Sequence, residues 1–159
     1  MLSIAHPGIK RIPVLMLLAT LLLSGVVHDR ADAATPAQKA ERNLMNLERR
    51  PMERSTFKLE KRLSKIARRH SRRMAASGTL HHNPNLAQDV GQRRWRRLGE
   101  NVGVAGSSAS IQETLRMLHG AFMDSTAHRR NILYRKYRKI GVGVVRSDGR
   151  MWVTIVFLG

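Results

Sequence analysis

Three side chains in the sequence have the chemistry of a metal site: His82, Glu100 and His128. Two imidazoles and one carboxylate suit a divalent transition ion such as zinc, and three protein ligands leave a coordination position for water. Such an open site can polarise a carbonyl or lower the pKa of its bound water, with Glu100 and His128 as the catalytic candidates. The three residues are too far apart to form a local motif, so their spacing alone does not show that they converge.

The sequence around these residues favours a pocket but leaves one choice open. Residues 98–104 are typical of a short strand in which Glu100 lies among glycine and apolar residues. A lone acid there is costly to bury without a partner, which indicates a pocket or a paired cation. His81 and His82 are adjacent on extended backbone, so at most one of them faces a given pocket. The residues alone do not choose between them.

Helices expected to position these groups are marked by apolar periodicity and by caps. Apolar residues recur at three- and four-residue steps over 56–77, which predicts a helix that ends at Gly78. His70 lies on the apolar face of that helix, and we expect a hydrogen-bonded core histidine there rather than a ligand. A capping box of Ser110 and Glu113 predicts the start of a further helix.

The C-terminal part of the sequence predicts a short helix followed by a β-hairpin. Ser125 is a good N-cap residue and places His128 in the first helical turn. Because capping is the default use of such a serine, a serine hydrolase built on Ser125 is disfavoured. Residues 140–144 and 152–157 have the alternation of two strands joined by a turn at 148–149. Glycines in the first strand leave room for another backbone to approach closely.

The N-terminal segment 1–33 has the features of a signal peptide. Lys10 and Arg11 precede an apolar run over 12–27, and the A-x-A pattern at 31–33 is one that signal peptidase accepts. The run has roughly 16 residues against the about 20 that a bilayer span needs, so a retained anchor is the alternative. We therefore expect a secreted, extracytoplasmic protein without a transmembrane span in its mature part.

The length predicts one domain preceded by a polar segment. A chain of 159 residues can bury a single modest core. Residues 34–55 are polar and charged with a thin apolar stripe, which predicts a linker or a loosely docked N-terminal arm. The domain is then expected to span 56–159 and to be a monomer.

Composition limits both the chemistry and the partners. The sequence has no cysteine, which excludes thiol catalysis and disulfides, and its formal net charge is +18. Such a charge attracts anionic envelope polymers or lipid headgroups, and salt weakens the attraction. The basic run 93–97 could contact nucleic acid, but its single aromatic residue and the export signal disfavour that partner.

Several blocks of the sequence, taken in order, resemble the bacterial CAP domain, also called SCP or PR-1-like. They are residues 78–84, 99–102, 125–133, 140–144 and 152–157. The resemblance implies an α+β fold, a three-layer α-β-α sandwich with a small antiparallel sheet, in a protein that is usually secreted. In many members the central cleft is lined by two histidines and two glutamates that can hold a metal ion.

Transferred by position, the resemblance assigns the first cavity histidine to His82, the first glutamate to Glu100 and the second histidine to His128. It therefore implies zinc or another divalent ion at these three residues. The second glutamate would fall near Ser125, so the sequence departs from the fuller pattern, which weakens any scheme that needs two carboxylates for proton transfer. Asn101 is the other polar residue expected in the cleft.

The predicted function is a secreted, non-enzymatic binding module whose cleft holds a divalent ion near anionic envelope material. The alternative is a metal-dependent hydrolase or peptidase that uses the same cleft and a bound water as nucleophile. A lipid or sterol carrier, as among some eukaryotic relatives, would need an apolar groove of which the sequence gives little sign.

Overall fold

Five helices and four strands form the described part of the chain. The computed structural model describes residues 34–91, 95–107 and 109–159, so the predicted signal peptide and part of the basic run 93–97 lie outside the described residues. In chain order the elements are α1 (Pro36–Arg49), β1 (Lys58–Leu59), α2 (Lys61–Ser77), α3 (Leu86–Val90), β2 (Leu98–Gly106), α4 (Ile111–Asp124), α5 (Thr126–Leu133), β3 (Lys139–Ser147) and β4 (Arg150–Leu158).

The four strands form one sheet in the order β1-β3-β4-β2. Strand β4 pairs antiparallel with both β3 and β2, whereas the two-residue β1 pairs parallel with β3. Asp148 and Gly149 join β3 to β4 with φ angles of 51° and 69°. Two successive positive φ values are typical of the tight hairpin turn whose twist matches that of the strands. The predicted hairpin is confirmed.

Strand β4 is buried on both faces, which makes the molecule a three-layer sandwich. Val153, Ile155 and Phe157 belong to the core cluster that contains residues of α1 and α4. The alternate residue Val156 packs instead with Leu63 of α2. Because successive side chains of a strand point to opposite faces, the sheet separates α2 from α1 and α4. The predicted α+β, α-β-α sandwich is confirmed.

Helix α2 lies unusually close to β3. A Cβ atom added at Gly141 would be 2.1 Å from the backbone carbon of Leu63, and one added at Gly143 would be 2.3 Å from that of Ala67. No real Cβ tolerates such distances, so glycine is required at both strand positions. The predicted close approach of another backbone is confirmed.

The helix predicted over 56–77 begins later than expected, at Lys61. Lys58 and Leu59 pair with β3, and Glu60 caps α2 by accepting the backbone N–H of Leu63 at 2.9 Å. Pairing with a distant strand therefore overrides the apolar periodicity in the first residues of the segment. The end at Gly78 is confirmed, because Gly78 is the C-cap with a φ of 66°.

The segment 34–55 is not the linker or loosely docked arm that its polarity predicted. Most of it forms α1, which starts with a capping box of Thr35 and Gln38 and contacts α4, α5 and β3. Met45 and Arg49 are fully buried, and Glu41, equally buried, lies 3.4 Å from Nδ1 of His119 on α4. Buried polar groups thus supplement the thin apolar stripe. No helix within the described ranges is long and apolar enough to cross a membrane.

Candidate metal-binding cleft

The structure brings two of the predicted site residues into direct contact. His82 lies in the extended segment between α2 and α3, and Glu100 lies in β2; Nδ1 of His82 is 2.8 Å from Oε2 of Glu100. The imidazole is 64% exposed, whereas the carboxylate is 5% exposed. Because a carboxylate only accepts, Nδ1 of His82 is the donor, and the neutral ring keeps its lone pair on Nε2.

The segment that carries His82 is held by the core histidine beside it. Nε2 of His70 lies 2.7 Å from the carbonyl oxygen of His81, and the two rings meet edge to face with centroids 5.0 Å apart. Burial lowers the pKa of His70, which outweighs the raising effect of the hydrogen bond to His81. The predicted structural role of His70 is confirmed, and its bond to His81 helps to fix which neighbour meets Glu100.

Asn83, which sequence reasoning did not include in the site, organises the following turn. Its backbone N–H donates to Oε2 of Glu100 at 2.9 Å, and its side-chain amide donates to Asp89 at 3.0 Å. Its Oδ1 accepts from Arg73 at 3.1 Å. Burial raises the pKa of Asp89, but hydrogen bonds from Asn83 and Arg69 outweigh burial, so this pKa lies below its usual value.

His128, the third predicted site residue, lies on α5 and is half-buried. Its ring meets the ring of Phe122 edge to face, with centroids 5.1 Å apart. Burial lowers the pKa of His128, and the nearby charge of His82 lowers it further. The two imidazoles are therefore close enough to interact electrostatically, with the neutral, ligand-competent form of His128 favoured.

Two asparagines join α5 to β2 behind the cleft. Asn101 is fully buried and donates from Nδ2 to the carbonyl oxygen of His128 at 3.2 Å. Asn131 donates to Oδ1 of Asn101 at 2.9 Å and to the carbonyl oxygen of Glu100 at 3.2 Å. The side chain of Asn101 thus helps to position α5, and its place in a cleft stays a prediction. Sequence reasoning missed Asn131, although its place three residues after His128 put both on adjacent positions of one helix face.

Ser125 occupies the predicted cap position without making the capping bond. It ends α4 and precedes α5 in an extended conformation, with a φ of −82° and a ψ of 118°, but its side chain makes no cap hydrogen bond to α5. The capping box of Ser110 and Glu113, by contrast, is present. The structure places no hydrogen bond between Ser125 and His128, as a serine nucleophile and its base would form.

The donor set suits a divalent ion only in part. Oε1 of Glu100 is buried and has no hydrogen-bond partner among the described residues, which is unusual for a carboxylate and leaves an unsatisfied acceptor on the group that contacts His82. Yet among the described residues no three His, Cys, Asp or Glu side chains are arranged closely enough to hold a metal ion. The three-ligand site at His82, Glu100 and His128 therefore stays a prediction.

The sandwich fold agrees with comparisons to known proteins. The three-layer α-β-α sandwich is the fold of CAP-type domains. The sequence model of CAP, the cysteine-rich secretory protein family, matches residues 42–157, so the chain belongs to this family. It does so without a single cysteine. No curated protein sequence matches the chain significantly.

Solved structures with the same fold come from bacterial and other proteins. An extracellular SCP-domain protein from Bacillus anthracis is 23% identical to this chain, with a TM-score of 0.61. The match covers 79% of this chain and 44% of that protein, so this chain spans less than half of its length. An outer surface protein from Borrelia burgdorferi is 14% identical with a TM-score of 0.65, covering 76% of this chain and 90% of its own. NaASP2, whose structure was determined with Zn²⁺, is 14% identical with a TM-score of 0.62, covering 81% and 82%.

Proposed function

We propose that this chain is an extracellular CAP-domain binding module whose cleft holds a divalent ion, such as zinc, on His82 and His128. The contact of 2.8 Å between Nδ1 of His82 and Glu100 carries the proposal. Histidines that bind metals commonly donate their other ring N–H to a carboxylate, which fixes the tautomer and aims the free nitrogen at the ion. Glu100, expected as a third ligand, would then orient His82 instead.

The two histidines would have different roles in binding the ion because they differ in burial. His128 is held by Phe122 and by the hydrogen bond from Asn101 to its carbonyl group, so it offers a fixed imidazole. His82 is largely exposed and can adjust its ring while Glu100 keeps hold of Nδ1. The Glu100 carboxylate, whose Oε1 has no partner among the described residues, would add negative charge next to His82. A bound ion would supply positive charge and open positions for an anionic ligand.

Binding is favoured over turnover because the second carboxylate is missing. Ser125 stands where the fuller pattern has a glutamate, and its hydroxyl group does not bond to His128. The extracellular location is supported by the family match and by the predicted signal peptide at 1–33. The formal charge of +18 would hold the protein near anionic envelope polymers or lipid headgroups.

Calorimetric titration of zinc into the purified protein tests the cleft. His82→Ala and His128→Ala should each weaken binding at least about 100-fold, and Glu100→Gln about 10- to 100-fold, as expected for an outer-shell carboxylate. His81→Ala, which removes the neighbouring exposed imidazole, is the matched control and should leave the affinity unchanged. Equal affinity in all four variants would refute the site.

A panel of peptide and ester substrates on the same samples separates a binder from a hydrolase. The proposal predicts no hydrolysis above the rate of free zinc at any occupancy. Turnover that rises with zinc occupancy and disappears in the His128→Ala protein would favour the hydrolase instead.

A further inference from the structure

A pocket of about 380 Å³ lies outside the metal-binding cleft, between the loop after α1 and the loop before β3. None of the cleft residues lines it. Four cationic side chains and one carboxylate do, together with a serine hydroxyl group: Arg54, Arg135, Lys136, Arg138, Glu53 and Ser55. We call this the basic pocket. Its volume is within the range of small-molecule binding sites.

The basic pocket carries an excess of positive charge, with four cations and one carboxylate in its lining. Within the described ranges, no carboxylate forms a salt bridge with any of the four, Glu53 included. Arg138 donates to the backbone carbonyl groups of Arg135 and Tyr137. Like charges gathered in one concavity repel each other, so an anion that enters relieves the repulsion.

Beneath the pocket lies a further, fully buried cation, Arg49. Among the described residues its guanidinium group donates to four backbone carbonyl groups. Three belong to the pocket loops, Ser55 at 2.8 Å, Tyr134 at 3.1 Å and Tyr137 at 3.1 Å, and the fourth is that of Ile132 in α5 at 2.6 Å. Burial lowers the pKa of Arg49 to about 10, and the charges of Arg138 and Arg54 contribute to the decrease. Arg49 therefore fixes the pocket walls and adds to its positive potential.

We propose that the basic pocket binds a phosphate group, carried by a free phosphate ester or by a lipid headgroup. Guanidinium groups match phosphate oxygens in bidentate geometry, and several cations around one concavity suit a group with several charged oxygens. The side chains that line the pocket include no aromatic ring, which disfavours a nucleic-acid strand held by stacked bases. Ser55 offers a further donor, and Glu53 can accept from a hydroxyl group beside the phosphate.

Inorganic phosphate, titrated by calorimetry at constant ionic strength, is the first probe. The double variant Arg135→Gln/Lys136→Gln removes two exposed cations whose side chains make no hydrogen bond within the described residues, so it should fold normally. The matched control Arg68→Gln/Arg72→Gln removes the same charge from α2, none of whose residues lines the basic pocket. If the double variant fails to fold, Arg54→Gln serves in its place.

The proposal predicts saturable one-to-one binding that weakens at least about 10-fold in the pocket variant and less than about 2-fold in the control. If phosphate binding were weakened equally in both variants, the effect would be one of overall charge and the proposal would be wrong. The absence of saturable binding would also overturn the proposal.

Vesicles of phosphatidylglycerol and of phosphatidylcholine distinguish a lipid headgroup from a free phosphate ester. If the protein binds phosphatidylglycerol vesicles, and if this binding is lost in the pocket variant and in excess phosphate, the ligand is a lipid headgroup. If the protein binds inorganic phosphate in the calorimeter but does not bind the vesicles, the ligand is a free phosphate ester. Zinc binding at the cleft should be unchanged throughout, so this proposal can fail while the metal proposal stands.

Discussion

Replacement of Arg49 by methionine tests whether one buried cation joins α1 to the rest of the domain. The change keeps a long apolar side chain but removes every hydrogen bond of the guanidinium group and its position 3.9 Å above the ring of Phe57. Four carbonyl groups lose their donor, and two of these bonds, to Ile132 and Tyr137, are buried from water.

The expected cost follows from two opposing terms. Four hydrogen bonds from a charged donor stabilise by about 1.5 kcal/mol each, or about 6 kcal/mol together. Against this, burial and the charges of Arg138 and Arg54 lower the pKa of Arg49 to about 10, which shows that the charge itself is disfavoured in the fold. That decrease corresponds to about 3 kcal/mol, which is recovered when the charge is removed. The free energy of unfolding should therefore fall by about 3 kcal/mol, and Tm by about 10 °C.

Thermal unfolding followed by circular dichroism measures this loss, with Arg50→Met as the matched control. Arg50 is exposed and its side chain makes no hydrogen bond in the described part of the chain, so its replacement should change stability by less than about 0.5 kcal/mol. Arg49→Lys, which keeps the charge but has fewer donors, should lie between the wild type and Arg49→Met. If Arg49→Met were no less stable than Arg50→Met, the role assigned to Arg49 would be wrong.

Three further predictions test the packing and the electrostatics. Gly141→Ala should destabilise by at least about 3 kcal/mol in chemical denaturation because its Cβ would overlap the α2 backbone, whereas Gly106→Ala meets no atom within 4 Å and should be nearly neutral. His82→Ala should raise the pKa of His128 in an NMR titration, though not to the usual value, because burial remains; an unchanged pKa would contradict the proximity of the two rings. Because hydrogen bonds lower the pKa of Asp89 in the folded protein, its carboxylate contributes stability above the unfolded pKa of about 3.9 and loses this contribution as pH falls through the folded pKa. Asp89→Asn should therefore be less stable than wild type at pH 7, and the difference should shrink as pH falls below about 3.9.

Local signals predicted the elements that local interactions form. The capping box at Ser110, the stop at Gly78 and the hairpin turn at Asp148 are each determined by neighbours in sequence, and each is present. Strand β1 could not be predicted in this way, because two residues become a strand only by pairing with β3. The packing of helix α1 against the domain was not predicted, because Arg49 and other buried polar residues hold the helix in place. Apolar periodicity takes no account of such residues.

The sequence predicted which residues belong to the candidate metal site but not how they are arranged in space. Spacing could not show that His82 meets Glu100, because the contact depends on how α2 and β2 are placed by the whole fold; the resemblance to CAP domains supplied that expectation. The choice between His81 and His82 depends on the bond from His70 to the backbone of His81, which only the structure shows. The basic pocket was missed because its cations come from two loops that Arg49 brings together.

The central claim is that the imidazoles of His82 and His128 bind a divalent ion while Glu100 holds the first of them. The most direct measurement is the ¹⁵N NMR spectrum of the histidine rings before and after one equivalent of zinc. The account predicts that Nε2 of His82 and one ring nitrogen of His128 shift on zinc binding, with Nδ1 of His82 still protonated, while the buried His70 does not change. Zinc binding that leaves both His82 and His128 unshifted would contradict it.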